Sequence, residues 1–412
     1  MSASMTAAEG LATPATAGAG VDQRGYRLGA IDALRGLVIV IMALDHCRDF
    51  LMLGTSQDPM GNPDITPFLF ATRWITHFCA PTFVFLAGTS AGLMLARKSP
   101  ADLGRFLLSR GLWLVFIEVT VISTAWTFAP QGIAQAGGHT LVILQVIWAL
   151  GASMVVLAAL QFLGRRNCLV LGAAIVLGHD LLDGIWPAGT AGAPLWVALH
   201  ARGVSAVVGP FEVMSAYPLL PWIGVMLLGF GASTLFELPA ARRRALLIRL
   251  GLGLVGAFLV VRGLDVYGDP RHWSASPKGG VYTLMAFLNT SKYPPSLQYL
   301  LMTLGPAALA CAWAQGWTGR LNAALITLGR VPFAFYVAHI YLIHAIAVAL
   351  GLVEGFGLAQ MASIFIFYPP DYGIPLAGVY VAWVAVVLAL YPLCKWVAAV
   401  KARRRDWWLS YL

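Results

Sequence analysis

The sequence predicts an all-α integral membrane protein, a bundle of about ten transmembrane helices with both termini cytoplasmic. Three observations carry that expectation. Of the 412 residues, 59% are hydrophobic and only 11% are charged, whereas a soluble globular domain carries about 25% charge. Apolar runs of roughly 18 or more residues recur, each long enough to cross the hydrocarbon core as a helix. The basic residues fall in short clusters that alternate with those runs. The same composition excludes a fibrous repeat, because its 43 Gly and 23 Pro show no period. The net charge of +9 is spread between spans, so no nucleic-acid partner is expected.

Residues 1–23 are mostly Ala, Gly, Thr and Ser without an apolar core. They read as a disordered cytoplasmic tail and not as a signal peptide. Spans follow near 29–47, 68–95, 111–129, 141–163, 167–186, 217–236, 247–265, 297–315, 331–352 and 376–397. They give one transmembrane domain over 24–405, with a short tail at 406–412. Placing the N-terminus inside puts 19 of the 27 basic residues in inner segments, among them Arg97, Lys98, Arg165, Arg166, Arg242, Arg243, Arg244 and Arg320. Seven lie toward the outside and Arg35 lies within the first span, so the bias toward positive inner loops fixes the orientation. Outer segments 187–216, 266–296 and 353–375 are long, and loops of that length usually cover or shape a site. Within the first of them, 196–214 could form a half-buried helix. Cys47, Cys79, Cys168, Cys311 and Cys394 show no metal-ligand spacing and read as small buried residues, with a Cys47–Cys79 disulfide as the alternative. No metal is expected.

Ionisable residues at membrane depth are costly and by default mark function. The first span and its outer edge hold six polar residues: Asp32, Arg35, Asp45, His46, Arg48 and Asp49. Arg35 and His46 are 11 residues apart, close to three turns, so they share a face at about 16 Å separation. Asp32 precedes Arg35 by three and Asp49 follows His46 by three, spacings that permit side-chain pairs. In the second span Arg73 and His77 are one turn apart, and Pro81 should kink the helix and free a carbonyl beside His77. Gln145 reads as an interhelical hydrogen bond, and His179, Asp180 and Asp183 as a wet helix end. His339 and His344 are five apart and therefore on different faces. Glu118 stands alone in the third span. Spans one, two and nine are expected to pack around a cavity lined by His46, His77 and His339, with Arg35 beneath.

No HExxH, Walker loop, GxSxG or CxxC occurs. The run RLGAIDALRGLVIVIMALDHCRDF instead resembles the first helix of the transmembrane acyltransferases. In the acyltransferase-3 family an arginine and an essential histidine separated by ten residues open the domain, as Arg35 and His46 do here. The sequence is more similar to the heparan-alpha-glucosaminide N-acetyltransferase family and its bacterial relatives. The shared features are the Asp-x-x-Arg-Gly opening (Asp32, Arg35, Gly36), the segment from Pro81 to Gly88, the pair Leu144 and Gln145, and Tyr336, Val337 and His339. The eukaryotic enzyme has asparagine at the position of His46 and its proposed acetyl-accepting histidine in the following loop. Residues 51–67 hold no histidine, which leaves His46 and His77 as the available imidazoles.

The resemblance implies an acyltransferase of the bacterial inner (plasma) membrane, surrounded by lipid and compatible with a homodimer. It would move an acetyl or short acyl group from cytosolic acetyl-CoA, or another acyl-CoA, to a hydroxyl or amine of an extracytoplasmic sugar or glycan. Such chemistry needs a base near neutral pKa and a donor for the oxyanion. His46 or His77 is the candidate base, and Asp45 and Asp49 are candidates to orient it. Arg35, with Asp32, Gln145 and His339, falls to the donor side. Direct transfer and an acyl-histidine intermediate both stay open, as do a lipid-linked donor and a transporter or flippase that uses the same polar core as a path.

Overall fold

The computed structural model describes residues 23–54, 65–185, 193–404, 406 and 409. The expected tails at 1–23 and 406–412 therefore lie outside the described residues, apart from Gln23, Asp406 and Leu409.

Helix α1 (Gln23–Leu51) runs past the apolar stretch at both ends, because the polar residues at its outer end are buried against partners rather than ending it. The second span is two helices, α2 (Pro67–Thr76) and α3 (Cys79–Met94). Pro81 has no N–H for the carbonyl of His77 four residues back, and the Tyr299 hydroxyl donates to that carbonyl instead at 2.7 Å. The kink expected from the proline is present. The third span comprises α4 (Pro100–Ile117), a π-helical turn at Glu118–Ile122, and α5 (Ser123–Thr127).

Two expectations are corrected next. The fourth span does not begin as a helix at 141. Thr140–Leu144 is strand β1, and α6 (Val146–Leu160) starts only after it. Short aliphatic runs are ambiguous by period alone, and here a neighbouring strand decides. After α7 (Gly164–Gly178), the stretch 196–214 holds only the end of α8 (Ala193–Leu199) before strands β2 (Gly203–Val208) and β3 (Phe211–Ser215). Its β-branched valines favour a strand, and Gly209–Pro210 breaks a helix and turns the chain. The three strands form one sheet in the order β1-β3-β2, with β1 parallel to β3 from Thr140 opposite Phe211 to Leu144 opposite Ser215. Strand β2 pairs antiparallel to β3.

The remainder is helical: α9 (Leu219–Ala232), α10 (Ala240–Leu264), α11 (Gly280–Leu288), α12 (Leu297–Ala314), α13 (Gly319–Arg330), α14 (Pro332–Val353), α15 (Leu358–Met361) and α16 (Leu376–Arg403). Among the described residues, eight helical stretches are long and apolar enough to cross a membrane. One of them, Val146–Leu182, contains both α6 and α7, which the sequence counts as two spans. α1 has the length but carries Asp32, Arg35, Asp45, Arg48 and Asp49 along it. Exposed Leu112 and Phe116 on α4, and Val381, Leu388 and Trp396 on α16, are the apolar outer face such a bundle turns to lipid.

α1 sits at the centre and packs on α3, α13, α14 and α16. Small residues let membrane helices approach closely, and the Gly36–Gly329 pair does so here. A Cβ at Gly36 would lie 1.9 Å from the Leu325 carbonyl oxygen, and one at Gly329 would lie 1.8 Å from that of Asp32. The glycine of the Asp-x-x-Arg-Gly opening thus has a steric reason. It lets α13 lie against α1 at the level of Arg35.

Candidate active site

A cavity of about 420 Å³ opens among α1, α3, α4, α6 and the junction of α13 with α14. Its wall is largely apolar, with Met42, Leu114, Ile147 and Phe333 among the lining residues, and it carries the charges of Asp32, Arg35, Arg110, Arg330 and Lys401. Arg35 is fixed from several sides. It pairs with Asp32 at 3.2 Å, donates to the Leu86 carbonyl at 3.2 Å, and donates to the Ser90 hydroxyl. Asp32 is also 3.6 Å from the exposed Arg330, so the two arginines share one carboxylate.

Tyr336 forms part of the same wall. Its ring meets His339 edge-on at 5.4 Å and His46 at 6.2 Å, so it stands between the cavity and a histidine pair. His46 Nδ1 lies 2.7 Å from His339 Nε2, and His339 Nδ1 lies 3.1 Å from the Phe335 carbonyl oxygen. A carbonyl only accepts, so neutral His339 carries its proton on Nδ1 and accepts at Nε2. His46 must then donate from Nδ1, and its Nε2 holds a lone pair. This assignment follows from the bonding partners, since hydrogens are not seen directly. Trp126 meets His46 edge-on at 5.1 Å. The Tyr336 hydroxyl and Trp126 Nε1 are both buried beside it, with the indole N–H directed at the Tyr336 oxygen. Both are donors next to the imidazole.

Asp45 follows a different direction from its neighbour, because successive helical residues are about 100° apart. It accepts from Arg73 Nη1 at 2.9 and 2.8 Å, from the Thr76 hydroxyl at 2.9 Å, and pairs with Arg48 at 3.0 Å. Lys292 Nζ is 3.8 Å away. Asp49 pairs with Arg48. The sequence assigned the orienting role to Asp45 or Asp49; both carboxylates are held by arginines, and His339 is the group on His46 Nδ1. His77 also departs from the expected arrangement. Its ring lies edge-on to Tyr299 at 5.6 Å with Nδ1 buried and unpartnered, and it belongs to the flank of the Asp45 cluster. The structure brings two imidazoles together, not three, and none of His46, His77 and His339 lines the cavity, which departs from the expected arrangement.

Gln145 is the N-cap residue of α6 and is absent from the cavity wall. Glu118 serves the same helix start. Fully buried, it accepts from the Trp148 backbone N–H at 2.7 Å and so caps α6 where strand gives way to helix. The cluster expected as a wet helix end is buried at His179 and Asp180. Asp180 accepts from Leu297 N at 2.9 Å, at the start of α12, and Asp183 holds His200 at 2.9 Å. His344 lies between the carbonyls of Ala125 and Met361 and stacks on Phe128, a structural tie. All five cysteines are buried and free, so the Cys47–Cys79 disulfide does not form. Sequence reasoning missed Trp126 and gave Tyr336 no role; the signal available for Tyr336 was its place one turn before His339.

A family model described as heparan-alpha-glucosaminide N-acetyltransferase, catalytic, matches residues 27–263, more than half of the chain. That match takes in Arg35, His46, His77 and Trp126 and ends before Tyr336 and His339. No curated protein matches the chain.

Proposed function

The chain belongs to the heparan-alpha-glucosaminide N-acetyltransferase catalytic family, and on that premise we propose that this membrane acetyltransferase moves an acetyl group from acetyl-CoA to a hydroxyl or amine of a sugar or glycan on the far side of the membrane. The observation that carries the reading is the His46–His339 contact next to a charged-mouthed apolar cavity. A volume of about 420 Å³ falls within the usual range for small-molecule pockets. In this reading the pantetheine arm of the donor occupies the apolar wall. Arg110, Arg330 and Lys401 supply positive charge for its phosphates, and Arg35 stands along the arm's path.

The chemistry follows from the tautomer. His46 Nε2 takes the proton from the acceptor hydroxyl or amine as that group attacks the thioester carbonyl carbon. His339 Nε2, accepting from His46 Nδ1–H, stabilises the imidazolium that forms. The oxyanion of the tetrahedral intermediate is met by the Tyr336 hydroxyl or the Trp126 indole N–H, the two donors beside the imidazole. Collapse breaks the carbon–sulfur bond, and the CoA thiolate leaves with the proton returned from His46. The acetyl group never bonds to the enzyme in this direct route. His77 and the cluster of Asp45, Arg73 and Lys292, drawn from α1, α2 and the segment before α12, form the approach for the acceptor. Residues 24–405 act as one catalytic unit with ten crossings and cytoplasmic termini, in the plasma membrane of a bacterium.

The test is release of CoA thiol from acetyl-CoA by the purified protein in the presence of glucosamine. The reading expects thiol release coupled to N-acetylation of the sugar. Acetyl-CoA that neither binds nor turns over would overturn it.

A further inference from the structure

A second recess of about 420 Å³ lies at the end of the bundle that carries the basic clusters, where α10 begins and α12 ends. Ala240, Ala241, Arg244, Trp313, Gln315 and Gly316 line it, and none of them belongs to the wall of the cavity beside Arg35. α10 is 25 residues long, and no side chain caps its first turn. The first backbone N–H groups of a helix have no partner within it and favour anions. Gln315 supplies the independent observation. It is 4% exposed, its Oε1 accepts from Arg243 Nη2 at 3.1 Å, and its Nε2 is buried without a hydrogen-bond partner. Arg243 therefore fixes which end of the amide is the acceptor and leaves the NH₂ group of this lining residue without a partner. Arg244 adds an exposed guanidinium from the next position. The carboxylate nearest in sequence, Glu237, is taken up by Arg165 at 2.7 Å. Trp313, 68% exposed at the rim, is the residue type that sits at the membrane–water boundary.

We propose that this recess binds a phosphate group, held by the first backbone N–H groups of α10, the Gln315 amide and the Arg244 guanidinium. A tetrahedral anion has the several acceptor oxygens that these donors need, and two sources could deliver it: the headgroup of an anionic phospholipid or a soluble phosphate. The site is independent of the acetyl-transfer reading, because it shares no residue with the groups assigned to that chemistry.

The test uses the full chain in detergent, titrated with phosphatidylglycerol, with diacylglycerol of the same chains, and with inorganic phosphate. Bound ligand is read by native mass spectrometry, beside Arg244→Gln and Gln315→Met. One saturable phosphatidylglycerol that diacylglycerol does not replace, weakened about tenfold or more in each variant, supports the site with lipid as the source. Saturable inorganic phosphate with the same sensitivity supports the site with a soluble source. Neither ligand binding, or binding that both variants leave unchanged, overturns the proposal. Gln315→Met also removes the partner of buried Arg243, so Arg244→Gln, at an exposed position, keeps the test valid if the first variant is destabilised.

Discussion

His46 makes its hydrogen bond to a residue 293 positions away, which is why both imidazoles of the proposed pair were legible in the sequence and their direct contact was not. Charged and titratable residues stand out in an apolar run, so Arg35, His46 and Asp45 announced themselves. Which carboxylate or imidazole meets which depends on helix rotation and on neighbours distant in sequence. The proposed roles separate by substitution. His46→Ala should leave the protein inserted and lower kcat by roughly 10²-fold or more, the usual contribution of a general base. His46→Asn should not restore the rate, because an amide replaces a hydrogen bond but shuttles no proton; near-normal turnover would move the base to His77. His339 is a positioning residue. His339→Phe should lower kcat by roughly tenfold or more, with little change in the KM for acetyl-CoA, whereas His339→Gln should recover most of the loss by accepting from His46 Nδ1–H. Equal losses in both variants would make His339 structural. Arg35→Lys keeps the charge and loses the planar fork. It should weaken acetyl-CoA binding measured by calorimetry, and an unchanged affinity would remove Arg35 from the donor path.

Helices were readable because each combines length, apolarity and a break at its ends; even the interruption of the second span followed from Pro81. The small sheet was not readable. Thr140–Leu144 has the composition of a helix start as much as of a strand, and only pairing with Phe211–Ser215 decides it. The same pairing explains Glu118, since α6 begins inside the protein with N–H groups that need an acceptor. Glu118→Ala should destabilise the protein in detergent by about 1–3 kcal/mol, the cost of leaving a buried N–H without its acceptor, while Glu118→Gln keeps an acceptor and should cost less. Helix contacts give a sharper contrast. Gly36→Ala puts a methyl 1.9 Å from the Leu325 carbonyl oxygen, and overpacking of this kind typically costs about 1–3 kcal/mol. It should also displace α13 with Arg330 and weaken acetyl-CoA binding. Gly253→Ala, where an added Cβ meets nothing within 4 Å, should be neutral or mildly stabilising in the same thermal assay.

Across the whole molecule, the proposed orientation rests on the charge bias of the loops, and in the proposed function that orientation gives the transfer its direction. Reporter fusions after Lys98, Arg166, Arg244 and Arg320 should report cytoplasm, and those near Gly137, Lys278 and Gly357 the outside. A reproducible inversion among the inner set would break the ten-span arrangement. What the linear sequence could not convey is that Asp45 and His46, neighbours at one depth of α1, meet different partners, the arginines and Lys292 on one side and His339 on the other, with the cavity of Arg35 and Arg330 about three turns away along the helix. That arrangement makes the central claim one of sidedness as well as chemistry. The most direct measurement uses sealed proteoliposomes of known orientation, with radiolabelled acetyl-CoA only on the side of Arg330 and glucosamine only on the other. The account predicts labelled N-acetylglucosamine on the side opposite the donor, reduced by roughly 10²-fold in His46→Ala. Label transferred only to acceptor on the donor's own side, or at an unchanged rate in His46→Ala, would contradict it.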